Sequence, residues 1–373
     1  MKEQNLYERY QRQIILKEFG ESGQQKLLQS KVLVIGAGGL GCPALQYLAG
    51  AGVGTIGIVD DDIVSLNNLH RQILFSTNDI GQPKAERASF YLKQLNPTIR
   101  IESFNIRLSA KNAINIMKGF DYVIDGTDNF ATRYMINDAC VLLDKPLIHG
   151  AVSQFEGQVA IFNYKKNTED NSVNYRDLFP YAPKAGEVLN CEESGVMGVL
   201  TGIIGTMMAN ETIKLISGIG KPLINVLMIY NSLSNQTYSL ALTATEESRF
   251  LIPADIEAFE SSDYEWLCGI SDSEMEIDAE AFEQFIHDGN ADLIDVREKD
   301  EQPFINEFFH LQIPLGQLAE NLSSIQKETV VVFCQSGSRS FQAAKTLASI
   351  YKNSRKVYSL KDGIIEWKKF QQA

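Results

Sequence analysis

Between Lys31 and Gly150 the chain repeats one pattern. KVLVIG, TIGIVD, IRIESF, DYVIDG and PLIHG are short apolar runs, and segments of helical periodicity such as ALQYLAG and AERASFYLKQL separate them. Apolar strands alternating with helices bury both faces of a parallel sheet, so this stretch specifies an α/β fold of the Rossmann-like kind, with helices on both sides. Two later runs, GQVAIFNY and NVLMIYNSLSNQTYSLAL, read as further strands, the second a hairpin about Ser234-Asn235, which makes the sheet mixed. A second, smaller alternation closes the chain: AEAFEQFI, ADLIDVRE, TVVVFC, SFQAAKTLASI, KVYSL and GIIEWKKF. A chain of 373 residues is long for one core. From Phe250 to Val296 there is no Lys or Arg while Asp and Glu recur, and residues 250–275 read as a solvated acidic linker. The expected division is therefore 1–249, a linker over 250–275, and a small α/β unit over 276–373.

The first strand runs into VIGAGGLG, which gives Gly36, Gly38 and Gly41 the G-x-G-x-x-G spacing, with Gly39 between them. Glycines there let the backbone turn tightly and approach a phosphate, and the following helix start supplies amides. Asp60, at the end of the next strand, stands where a carboxylate binds ribose hydroxyls. Nicotinamide enzymes share that much, so the loop alone leaves an oxidoreductase open. The next segments, VDDDIVSLNNLHRQILF and IGQPKA, bring Asn68, Arg71 and Lys84 toward the same end of the sheet, together with Asp125 and Asp128 of DGTDN. Two cations and an amide suit a triphosphate, and a carboxylate suits its magnesium ion. Read singly, Arg71 and Lys84 are equally well surface cations, and Asp125 reads as a structural cap on its turn. A scaffold that docks partners without chemistry is the third reading.

CQSGSRS, residues 334–340, poses the second question. Cys334 ends a strand, Gln335, Ser336, Gly337 and Ser338 form a loop, Arg339 closes it, and a helix follows. Helix-start amides favour an anion, so the sulfur reads as activated rather than merely buried. Cysteine phosphatases separate Cys and Arg by five residues to ring a phosphate, whereas four stand here, and the smaller cradle suits sulfur. Asp295 and Arg297 read as braces for the loop. His310 reads as packing or surface, and no chemistry requires His70 or His149.

The formal net charge of −13 excludes nucleic acid as a partner in the absence of a basic patch. The opening MKEQNLYERYQRQ is too charged for a signal-peptide core, and the most apolar stretch, Gly195 to Ala209, is short of a bilayer span, so no membrane partner is expected. Five scattered cysteines, Cys42, Cys140, Cys191, Cys268 and Cys334, argue against a disulfide framework and place the protein in a reducing cytoplasm.

RYQRQI, GAGGLG, VDDDIVSLNNLHRQ, GQPKA, DGTDN and CEESGVMG together resemble the adenylating enzymes of the MoeB, ThiF and HesA family, relatives of ubiquitin-activating enzymes, over roughly the first 245 residues. The resemblance implies that Asp60 holds the ribose of ATP, that Asn68, Arg71 and Lys84 hold phosphates, and that Asp128 positions Mg2+. It implies a homodimer in which Arg12 reaches into the nucleotide site of the second subunit. The implied substrate is the C-terminal glycine carboxylate of a ubiquitin-like sulfur carrier of the MoaD or ThiS type, converted to an acyl adenylate. Alignment of two anions and stabilisation of phosphate charge suffice for that step, which accounts for a site rich in Arg, Lys and Asp without a Ser-His-Asp set. Cys191 falls where relatives carry a cysteine near the carrier's tail, as a sulfur nucleophile.

About the last 95 residues resemble a rhodanese sulfurtransferase, through LIDVRE, CQSGSRS, IPLGQL and YSLKDGIIEW. The resemblance implies a persulfide on Cys334, loaded by a sulfur donor such as a cysteine desulfurase and passed to the acyl adenylate to form a thiocarboxylate. Molybdopterin synthesis is the leading destination, with thiamine synthesis and tRNA thiolation using the same residues. Two departures stand out. The Cys-x-x-Cys pairs that hold zinc in many relatives should fall at NYRD (174–177) and EWLC (265–268), where only Cys268 remains, so no structural zinc is expected. Asp362-Gly363 stands where two glycines are common, and the approach to IPLGQL lacks its usual glycine.

Overall fold

The five apolar runs form β1 (Lys31–Ile35), β2 (Thr55–Val59), β3 (Arg100–Phe104), β4 (Tyr122–Asp125) and β5 (Leu147–Ser153), followed by β6 (Glu156–Phe162), β7 (Val226–Asn231) and β8 (Gln236–Ala241). The structure is a computed structural model that describes residues 3–165, 172–181, 195–264, 275–299, 301–351 and 355–371. It divides into two units, Met1–Gly269 and Ile270–Ala373.

In the first unit the strand order is β3-β2-β1-β4-β5-β6-β7-β8. The strands from β3 to β5 pair in parallel and β6 to β8 join antiparallel, so the sheet is mixed as expected. Helices α1 (Glu3–Ile14), α2 (Gly20–Gln29), α3 (Gly41–Ala51), α4 (Lys84–Leu95), α5 (Ala110–Met117), α6 (Phe130–Leu142), α7 (Tyr175–Leu178), α8 (Gly198–Ser217), α9 (Glu246–Phe250) and α10 (Ile256–Glu260) complete the described part. Two apolar clusters result, one including Leu45, Ile56, Ile148 and Ile204, the other Leu33, Phe120, Tyr134 and Phe162. They correspond to the two faces of the sheet, and strands buried on both sides need the continuous apolar runs seen in the sequence. Chain order reverses between β1 and β4, and loops after these two strands diverge there to leave a crevice at their carboxyl ends.

Helix α8 is longer than the apolar stretch that marks it in the sequence. It continues to Ser217 and so reaches the length of a bilayer span. Its packing accounts for its composition: Leu200, Ile204, Met208 and Ala209 are wholly buried against α3 and the sheet. Near its end, buried Glu211 accepts the Leu223 amide at 2.8 Å.

Residues 250–264, expected in a solvated linker, pack instead onto the first unit. Phe259 of α10 is wholly buried in the second cluster, and the buried Tyr264 hydroxyl donates to Asp138 at 2.9 Å. Two aromatic rings outweigh the acidic composition around them, because burying such a ring is worth about 2 kcal/mol or more while the acids stay in water.

The segment expected to carry the zinc ligands is closed by hydrogen bonds. Asn174, buried at the start of α7, donates to Asp177 Oδ2 (2.8 Å) and Ser248 (3.2 Å). Asp177 Oδ1 accepts from the Thr245 amide (2.6 Å), the Thr245 hydroxyl (2.9 Å) and the Ser248 hydroxyl (2.7 Å). Thr245-x-x-Ser248 therefore faces Asn174-x-x-Asp177; EWLC lies outside the described residues. One carboxylate, one amide and two hydroxyls lack the thiolates and imidazoles that zinc takes, so these residues do not fit the ion. Beside them Arg176 forks onto buried Asp138 at 2.8 and 2.7 Å.

The second unit holds β9 (Glu276–Ile277), α11 (Ala279–Asp288), β10 (Ala291–Asp295), β11 (Leu311–Gln312), β12 (Thr329–Phe333), α12 (Ser338–Tyr351), β13 (Lys356–Leu360) and α13 (Gly363–Phe370). Its parallel sheet has the order β11-β10-β12-β13-β9, with β12, which leads into Cys334, at the centre.

Asp177→Ala should lower the stability of the first unit by about 1–3 kcal/mol, since two hydroxyls, two backbone amides and the Asn174 side-chain amide lose their acceptor. Urea titration followed by tryptophan-independent circular dichroism should show the fall, and prolonged chelator treatment of the wild type should leave its midpoint in place.

Candidate functional sites

The crevice between β1 and β4 holds a cavity of about 550 Å3. Its floor is backbone. Gly36 has φ +90°, and a Cβ there would lie 2.9 Å from the Gly126 carbonyl oxygen. A Cβ on Gly41 would overlap the Gly36 oxygen at 1.9 Å, and one on Gly39 would press on Thr201. Only glycine lets the two loops meet this closely. Gly38 faces the cavity, where Gln72 is buried with its Oε1 unpartnered. Arg133, in the same wall, has a buried Nε without a partner. Buried polar atoms left open toward a cavity are satisfied when a polar ligand enters.

The expected residues meet here. Asp60, Asn68, Arg71, Lys84 and Asp128 all line the cavity with the glycine loop. Asp60 Oδ2 accepts the Ala37 amide at 2.7 Å and Oδ1 the Asp62 amide at 2.9 Å. Burial raises its carboxyl above the ordinary range, against the opposing pull of Lys84 and those amides. Lys84, buried at the start of α4, pairs with exposed Asp62 at 2.8 Å. Arg71 is half-buried and donates to the Asn67 carbonyl and to His70 Nε2. Buried Asn68 caps its turn by accepting the Ser65 amide. Asp128 is exposed at the rim. Arg12 is exposed on α1 and does not line the cavity of its own chain. Cys191 lies outside the described residues. Asp62, Gln72 and Arg133 join the site without having been singled out; Asp62 sits inside the acidic DDD run and Arg133 one turn after Asn129, positions visible as pattern but without a partner to give them meaning.

A second cavity, of about 580 Å3, shares Asp128, Arg133 and Val152 with the first. Phe130, Tyr134, Phe155, Tyr175 and Phe179 give it aromatic walls, with Gln154 and Glu156 at its polar edge. A charged cavity beside the glycine loop thus adjoins an aromatic groove at Asp128, Arg133 and Val152.

Two other cysteines of this unit are inert by position. Burial pushes the Cys42 thiol up to about 12 and raises that of Cys140 further still.

In the second unit Cys334 is 1% exposed at the end of β12, below its loop. Gly337 (φ +88°) and Gly363 (φ +69°) pack the loop against the Asp362 turn: a Cβ on Gly337 would lie 2.8 Å from the Asp362 nitrogen, and one on Gly363 2.5 Å from the Ser336 nitrogen. Asp362 itself takes the left-handed conformation that a glycine would occupy more freely. Arg297 forks onto buried Asp295 and donates to the Pro303 carbonyl at 3.0 Å, so the hydrogen bonds of this pair hold the segment after β10 rather than the Cys334 loop they were expected to brace. His310 packs between Phe308 and Phe333. The structure adds one partner. Glu301 takes both terminal nitrogens of Arg339, and this hydrogen bonding draws the Glu301 carboxyl down to about 2. The loop's cation is therefore already matched by a carboxylate.

Comparison with known proteins agrees with this geometry. The ThiF family model matches residues 10–249 and the rhodanese-like domain model residues 278–370. A sulfur carrier protein adenylyltransferase of Thermus thermophilus is 46% identical over 264 residues, 70% of this chain and 97% of that protein. A probable adenylyltransferase/sulfurtransferase MoeZ of Mycobacterium tuberculosis is 38% identical over 98% of this chain and 93% of its own. The adenylyltransferase and sulfurtransferase MOCS3 of Culex quinquefasciatus is 38% identical over 93% and 83%. Among solved structures, E. coli MccB with ATP aligns with a TM-score of 0.53 at 20% identity, over 61% of this chain and 68% of that one, a likeness of fold.

Glu301→Gln should leave Arg339 free to bind an anionic sulfur donor. Transfer from thiosulfate to cyanide should then rise by about tenfold in kcat/KM, the worth of one close and partly screened charge; steady-state assay of the two proteins side by side checks it.

Proposed function

Because this chain belongs to the ThiF family and continues into a rhodanese-like domain, we propose that it activates the C-terminal carboxylate of a ubiquitin-like sulfur carrier as an acyl adenylate and completes it to a thiocarboxylate. The observation that carries this reading is the junction of the two cavities at Asp128 and Arg133, a polyphosphate cradle opening into an aromatic groove. An extended peptide tail laid in the groove brings its terminal carboxylate to the nucleotide's α-phosphate. The carboxylate oxygen attacks phosphorus, pyrophosphate leaves, and the adenylate remains.

The residues fit ATP. Asp60 is placed for ribose hydroxyls, the Gly38–Gly41 amides, Asn68, Arg71 and Lys84 for phosphates. Release of Lys84 from exposed Asp62 would let it follow the charge to the leaving group. Asp128 makes no hydrogen bond to the described residues and is free to take a Mg2+ ligand position. The metal would neutralise charge on the phosphate oxygens as they separate.

The outer sulfur of a Cys334 persulfide then attacks the adenylate carbonyl and AMP leaves, giving an acyl disulfide on Cys334; a second thiol attacks the Cys334 sulfur, the S–S bond breaks to release the thiocarboxylate, and a cellular dithiol reduces the disulfide that remains. Cys191 is the second sulfur in this reading, and a cysteine desulfurase is the donor. All of this suits a reducing cytoplasm. The pathway follows from the carrier, with molybdopterin synthesis first and thiamine synthesis or tRNA thiolation served by the same chemistry.

A homodimer belongs to the proposal. Exposed Tyr47, Ile73 and Val199 line an apolar groove of about 960 Å3 on α3 and α8, and Arg71 lies in both this groove and the nucleotide cavity. In such a dimer exposed Arg12, which does not line the nucleotide cavity of its own chain, would serve a neighbour's nucleotide.

The test is mass spectrometry of candidate carriers incubated with the protein, ATP, Mg2+ and a sulfur source. An AMP adduct followed by replacement of one oxygen by sulfur is expected. Asp128→Ala should lower adenylation by ~100-fold or more, and Cys334→Ser should leave the adenylate but give no thiocarboxylate. Tight NADH binding with no ATP turnover would overturn the reading in favour of an oxidoreductase. For Arg12, mixing Arg12→Ala and Asp128→Ala subunits, each inactive, should restore about a quarter of the wild-type sites, because half the dimers are mixed and each carries one complete site.

A further inference from the structure

His149 has no evident task among the apolar residues at the start of β5, yet it is 1% exposed. It sits on β5 in register with Asp125 at the end of β4, so the two side chains share a face. Its Nδ1 donates to Asp125 Oδ2 at 3.1 Å. The other oxygen, Oδ1, accepts both the amide (3.0 Å) and the hydroxyl (2.6 Å) of Thr127. The Thr127 carbonyl in turn accepts from Arg133 at 2.9 Å. Gly126, Thr127, Asp128 and Asn129 form the cavity wall between β4 and α6. The loop that carries Asp128 is therefore held from below by a buried carboxylate, which is oriented by a buried imidazole.

A buried ionisable pair is a poor way to gain stability, because an apolar pair of the same volume would do as well or better. What an oriented carboxylate supplies and an apolar pair cannot is direction: one oxygen is taken by His149, so the other is fixed toward Thr127. Burial keeps the imidazole below its usual range, and the hydrogen bond from it helps hold the Asp125 carboxyl low despite burial. The pair is thus a neutral donor and a carboxylate. Tyr175 and Phe162 close on the ring at 5.1 and 5.9 Å and fix its plane. His149 and Tyr175 also line the aromatic groove. The same ring that orients Asp125 therefore forms part of the floor on which a peptide tail would rest.

We propose that His149 is a positioning residue for adenylation: acting through Asp125 and Thr127, it sets the place of Asp128 at the junction of the nucleotide cavity and the groove. This rests on the adenylation reading above. It assigns His149 no contact with the reacting atoms.

The experiment compares His149→Leu, which keeps bulk and removes the donor, with His149→Asn, whose amide stands close to where Nδ1 donates. Carrier-dependent ATP–pyrophosphate exchange in the wild type is the control; its absence would sink the adenylation reading itself and is distinct from any result on the variants. With the control active, His149→Leu should lower kcat about 10- to 100-fold, the cost of a displaced catalytic group, with the KM for ATP changed by less than about threefold. His149→Asn should recover most of the loss. Hydrogen exchange should quicken at the amides of residues 126–129 in the Leu variant and not in the Asn variant. Should the Leu variant fail to fold, Thr127→Val alone and combined with His149→Met, which likewise lacks the donor, carries the same question: losses that share one carboxylate are not additive. An unchanged kcat in a folded Leu variant, equal losses in Leu and Asn, or additive losses with Thr127→Val would each overturn the proposal.

Discussion

The adenylation site depends on one close approach of backbone to backbone. Gly36 and Gly126 end adjacent strands, and their loops meet with no room for a side chain between them. Gly41 then passes over the Gly36 carbonyl at a distance no other residue allows. This contact leaves Gly38, Gly39 and Leu40 facing the cavity ahead of α3, sets the loop after β4 alongside, and leaves a crevice lined in part by charged side chains. Asp60 is tethered to the Ala37 amide, and Asp128 stands two residues beyond the glycine contact.

Around that floor the unit uses polar groups where an apolar core would be stronger. Asp125 with His149, Asp138 with Arg176, and Asp177 with Thr245 and Ser248 are each saturated with hydrogen bonds. Such arrangements add little net stability but are intolerant of displacement, since a lost partner leaves a charge or donor stranded. All three surround α6, α7 and the aromatic groove. Rigidity is concentrated on the elements that would have to hold a peptide terminus against a nucleotide.

The second unit poses a complementary problem. A sulfur to be passed on must be held without being exposed to stray acceptors. Cys334 lies under its loop, the loop is locked to the Asp362 turn by two glycines, and its closing cation is already paired with Glu301. In the proposed reaction an electrophile made by one unit and a protected sulfur held by the other are chemical complements, which would give their union in one chain its sense.

Strand identity, the parallel topology, the glycine loop and the membership of Asp60, Asn68, Arg71, Lys84 and Asp128 in one site were legible in the residue order. Local periodicity and turn chemistry act within a few residues, and the topology rule then brings the carboxyl ends of the strands together. The partners were not legible. Asp62 on Lys84, Glu301 on Arg339, His149 on Asp125 and Thr245-x-x-Ser248 across from Asn174-x-x-Asp177 are pairings over separations of 22 to 74 residues, and no periodicity encodes them. The acidic linker was misjudged because composition reports average polarity, while Phe259 and Tyr264 alone decided where residues 250–264 lie. The sequence by itself therefore determined which elements form and which chemistry they can carry, since both are set by local backbone preference and side-chain type. Only the tertiary structure decided which charges are already matched and which atoms stay open to a ligand, because that depends on distances of a few ångström between residues the chain keeps far apart.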